Sequence, residues 1–126
     1  MAEDSIPADL RDFILRNIDS VAQLETMLLL HLERDAAWTA AKLSKRLYIG
    51  EPEALVVLTR VANDGFASQV EGRFSFDPQS AEKEQMLERL ATAYGTRLIP
   101  ITNLIHSKSP RIREFSDAFK FRKDRT

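Results

Sequence analysis

The sequence predicts a mainly α-helical fold with a small β-hairpin. Three observations support that class. Apolar residues recur every three or four positions through most of the chain, between residues that cap helices. The period changes to two only across 66–76, where two alternating runs flank a glycine. From Ser80 the helical period returns as a heptad-spaced stripe of about 25 residues.

A first short helix spans Pro7 to Ile18. Proline suits its opening turn, and Leu10, Phe13, Ile14 and Ile18 fall near helical spacing. Ser20 caps a second helix, with Gln23 at the capping-box position. Val21, Leu24, Met27, Leu28, His31 and Leu32 form its expected buried stripe. Trp38 precedes the third helix as a packing anchor. Thr39 caps that helix, which runs to about Leu47 with Ala40, Leu43 and Leu47 inward.

Tyr48-Ile49-Gly50 is a turn, and Glu51-Pro52 opens the next helix. Its expected inner face is Leu55, Leu58, Val61 and Ala62, and Asn63-Asp64-Gly65 ends it. The hairpin pairs 66–70 with 73–76 around Glu71-Gly72. Phe66, Ser68 and Val70 point to one side of it, and Phe74 and Phe76 share a face. In the final long element Leu87, Ala91, Tyr94, Leu98, Ile101 and Ile105 make a seam suited to helix pairing, with a kink or break expected near residues 96–100 because Pro100 cannot donate to the carbonyl of Thr96. Ser109-Pro110 begins a last short helix with Ile112, Phe115 and Phe119 on one face.

Composition narrows the function. The chain of 126 residues has no cysteine, so disulfides, thiolate metal sites and cysteine nucleophiles are excluded, and a cytoplasmic setting is expected. The most apolar stretch, Met27 to Leu30, is far below the roughly 20 residues of a membrane span. Only four glycines are present, and neither a Gly-rich phosphate loop nor a Walker pattern occurs. His31 and His106 lack partners at ligand spacing, so neither a metal nor any cofactor is expected. Glu82, Glu84 and Glu88 lie in the opening turns of a helix, where negative charge is favoured without catalysis. No enzyme is expected.

The net charge of -1 hides an asymmetry. Residues 1–105 carry 11 Lys/Arg against 16 Asp/Glu, whereas 106–126 carry 7 against 3. An acidic body is thus joined to a basic tail, a pattern of interaction tails.

The order across 20–76 is three helices, at 20–34, 39–47 and 51–64, followed by a hairpin at 66–76. It resembles the winged helix-turn-helix family of bacterial transcription regulators, of the MarR-like or DeoR-like kind. Trp38 to Leu47 is similar to the helix before the turn. Glu51 to Val61 is similar to the recognition helix, and Asn63-Asp64-Gly65-Phe66 to the helix-to-wing junction. The ending, Asn103 to Lys108 and Phe115 to Asp124, resembles the tail of small bacterial winged-helix proteins. The resemblance covers about 57 of the 126 residues. It implies an N-terminal helix at 1–19, a winged helix-turn-helix core at 20–76, and a C-terminal helical dimerisation extension with a basic tail at 77–126.

The resemblance further implies a homodimeric regulator that binds double-stranded DNA. A helical projection puts Glu53, Val56, Thr59, Arg60 and Asn63 outward on the recognition helix. Arg60 suits guanine and Asn63 adenine. Lys42, Lys45 and Arg46 suit phosphates, and Arg73 lies on the wing. The seam from Leu87 to Ile105 suits the dimer. Against this, Glu51 and Glu53 open the recognition helix, and 20–76 holds six basic residues against seven acidic ones. So few cations release few counterions. A winged helix acting as a protein-interaction module in a regulatory complex is the alternative, and it remains open.

Overall fold

A computed structural model describes residues 6–107. The element order is α1 (Ala8–Asn17), α2 (Val21–Leu32), β1 (Ala37–Trp38), α3 (Ala40–Leu47), α4 (Glu51–Asn63), β2 (Ala67–Val70), β3 (Arg73–Phe76) and α5 (Ala81–Thr96). A further helix, α6, covers 98–107. The expected helix after Ser109 lies outside the described residues. The architecture is mainly helical with one small antiparallel sheet of strand order β1-β3-β2.

The helix starts follow from local chemistry. The hydroxyls of Ser20, Thr39 and Ser80 accept from the backbone N–H groups of Gln23, Lys42 and Lys83, each at 3.1 Å. The box at Ser20 closes one residue early: Gln23 Oε1 accepts from Asp19 N at 2.9 Å, and its Nε2 donates to Asn17 O at 2.6 Å. That pairing lets Gln23 be buried. Helix α4 ends at Gly65, where φ is +89°. There Phe66 N donates to Val61 O, and Phe66 swings into the core. Glu71 and Gly72 both have positive φ, so a tight two-residue turn aligns Val70 with Arg73.

Two expectations are corrected and two hold. Trp38 precedes the cap of α3 and is fully buried, as expected of a packing anchor, and it also pairs with Phe74 in a short strand. The inner face of α4 is Ala54, Val57, Leu58 and Val61, so Leu55 is turned outward. Leu32, expected on the buried stripe of α2, is exposed at the end of its helix. The long final element breaks at Arg97, within the stretch where a break is expected, and so forms two helices. Pro100 then falls in the first turn of α6, where its missing N–H has no helical partner to lose.

One core collects Leu10 and Ile14 of α1, Leu24 and Leu30 of α2, Trp38, Leu43, Leu58, Phe74, Leu87 of α5 and Ile101 of α6. Phe13 and Phe66 meet edge-to-face at 5.8 Å, joining α1 to the start of the hairpin. Surface ties run across the same joints. Arg89 grips Asp9 at 2.6 and 2.9 Å, linking α5 to α1. Lys83 Nζ donates to Asp64 O at 2.6 Å, linking α5 to the end of α4.

Candidate functional site

The α3–α4 pair packs on the core through Leu43, Ala54, Leu58 and Val61, with one face of each helix in solvent. Burial of Ala54, Val57, Leu58 and Val61 fixes the rotation of α4. At 100° per residue the opposite ridge is then Pro52, Val56, Thr59 and Asn63. Val56 is 68% exposed, Asn63 is exposed and Thr59 is half-buried. Leu55 flanks the ridge on one side, and Glu51 and Glu53 stand exposed at its N-terminal end. The turn feeding this helix presents Tyr48, 94% exposed, with φ +58°. The outward face of α4 is therefore apolar in the middle and acidic at its start.

Arg60 is the single cation of α4. It reaches sideways, not outward: its Nη1 lies 2.7 Å from Asp19 Oδ2 and its Nε 2.9 Å from Asp64 Oδ2. The hydrogen bonds it donates to Asp19 and Asp64 raise its already high pKa. A guanidinium so engaged must give up two carboxylates before it meets a base edge.

The other cations sit on α3 and the hairpin. Lys42, Lys45 and Arg46 are exposed and, with Trp38, Thr39 and Ala41, line a depression of about 570 Å³. Lys42 Nζ lies 4.3 Å above the Trp38 ring and donates to Ala37 O at 3.4 Å. Arg46 pairs with Glu33 at 3.2 Å and leans over the same ring at 5.9 Å. Arg73 is exposed beside the hairpin turn. The structure thus brings Lys42, Lys45 and Arg46 together, while Thr59 and Asn63 sit on the neighbouring ridge of α4.

The seam residues separate. Leu87, Ile101 and Ile105 are fully buried in the chain's own core, and Ala91 and Tyr94 are half-buried. Burial pushes the Tyr94 hydroxyl above its ordinary pKa, with Glu25 of α2 adding to the shift. Leu98 alone of the six is half-exposed, and it lies beside exposed Ile99. Sequence reasoning missed Leu55 and Tyr48. The apolar run Ala54 to Leu58 conceals the first, and the second carries no local signal.

No group of three or more His, Cys, Asp or Glu able to hold a metal occurs among the described residues. No described helix is long and apolar enough to cross a membrane. Comparison with protein families, curated proteins and solved structures finds no match.

Proposed function

We propose that the chain is a winged helix used as a protein-interaction module, with the outward face of α4 as its docking surface. The observation that carries this reading is that face itself: Val56 and Leu55 exposed, Glu51 and Glu53 at its head, and Arg60 held by Asp19 and Asp64. A helix entering a major groove meets phosphates on both flanks, and two carboxylates at its head oppose that approach. Exposed apolar side chains rimmed by charge fit a protein partner instead. The order of helices, short strand and hairpin, with β1 closing a three-stranded sheet, supports the winged-helix part of the reading.

A DNA-binding transcription regulator is the second reading, favoured by one observation. Lys42, Lys45 and Arg46 gather on α3, and Arg73 is free to meet a backbone phosphate. A homodimer would add a second such cluster. Of the proposed seam, Leu98 remains available at the surface for that contact, with Ile99 beside it.

Fluorescence anisotropy with pooled duplexes separates the two readings. We expect any duplex binding to be weak, to fall steeply with salt, and to be unchanged by Val56→Ser or Asn63→Ala. A tenfold or greater loss on either substitution, about 1.4 kcal/mol, favours the regulator.

A further inference from the structure

We propose that the docking face of α4 has a first occupant in the chain itself: the basic segment 108–126, which lies outside the described residues. This inference rests on the reading of α4 as a protein-docking face and adds the regulation of that face. An outside partner then reaches α4 only by displacing the segment.

Charge complementarity supports the pairing. The segment carries seven Lys/Arg against three Asp/Glu. The head of α4 carries Glu51 and Glu53, both exposed, and its one arginine is held by two aspartates. Apolar content matches too. Ile112, Phe115, Phe119 and Phe121 are interspersed with the cations of the segment. The α4 face offers Val56 and Leu55, with Tyr48 at the preceding turn. Aromatic residues between cations suit an apolar strip with an acidic rim.

Other surfaces fit less well. The apolar patch of Leu98 and Ile99 is lined by Gly95, Thr96, Arg97 and Pro100, with a cation and no acid. The acidic start of α5 has Glu84 already paired with Arg34 at 3.1 Å. Reach is not limiting. An extended chain advances about 3.3 Å per residue, so the segment spans about 60 Å, against a radius of gyration of about 13 Å for a domain of this size.

The absence of cysteine makes the test clean. In the full chain, Val56→Cys with Ser116→Cys forms a disulfide under mild oxidation. The control is Gln85→Cys with Ser116→Cys, on the exposed side of α5. Any tethered segment gives a background rate, and docking is expected to raise the first pair about tenfold above the control. Adding Glu51→Lys and Glu53→Lys should return it to the control rate. Equal rates for the two pairs overturn the proposal, as does a cross-link found only between chains. Duplex anisotropy on the single-cysteine variants keeps the two failures apart. Equal rates with duplex binding indifferent to Val56→Cys remove the segment alone. Duplex binding lost on Val56→Cys removes the docking face beneath it.

Discussion

Tyr48 sits in the left-handed region with its ring in solvent. An L residue loses about 1–2 kcal/mol in that conformation, and an exposed ring recovers little of it by burial. Tyr48→Gly is therefore expected to stabilise the fold by about 0.5–1 kcal/mol in denaturant unfolding, after glycine's own entropy is allowed for. The same change should weaken partner binding at α4. Asp9 gives a pH signature. The hydrogen bond from Arg89 outweighs desolvation and holds its carboxyl at about 2, below its ordinary 3.8. A depressed carboxylate contributes stability that is present above pH 3.8 and is lost as pH falls through 2. Asp9→Asn should flatten that stretch of a thermal-unfolding profile against pH. Arg60 marks the limit of reading residues from sequence. Its place on α4 is legible, but its partner Asp19 lies 41 positions away and no local pattern announces it.

At the scale of elements, caps were the legible part. Ser20, Thr39 and Gly65 act on backbone groups within a few residues, so their signals are local. Thr39→Ala should cost about 1 kcal/mol and speed amide exchange at Lys42, because α3 has only eight residues. Strand β1 was not legible. Two residues have no period, and the strand exists because Trp38 pairs with Phe74 far along the chain. The phase of α4 was misread for a related reason. Five apolar residues in a row, Ala54 to Leu58, suit more than one rotation, and the packing of α2 and α3 selects among them. The seam of α5 and α6 was legible as a stripe, yet half of it serves the chain's own core. Leu87→Ala should lower stability by about 2–5 kcal/mol in chemical denaturation. Leu98→Lys, at a half-exposed site, should leave stability nearly unchanged and reduce any self-association seen by sedimentation.

At the scale of the whole molecule, the segments 1–19, 20–76 and 77–126 read apart in sequence but share one core in their described parts. Helices α1, α5 and α6 contribute to that core, and the outward faces of α3 and α4, where the proposed docking surface lies, stay in solvent. What that side does follows from which charges remain free on it, and that depended on contacts across the fold. The most direct test places a photo-cross-linking amino acid at Val56 in the full chain, in cells, with Gln85 as the control position. The account predicts adducts of higher mass at position 56 that survive nuclease and are absent at position 85. Adducts at position 56 that collapse on nuclease treatment would contradict it.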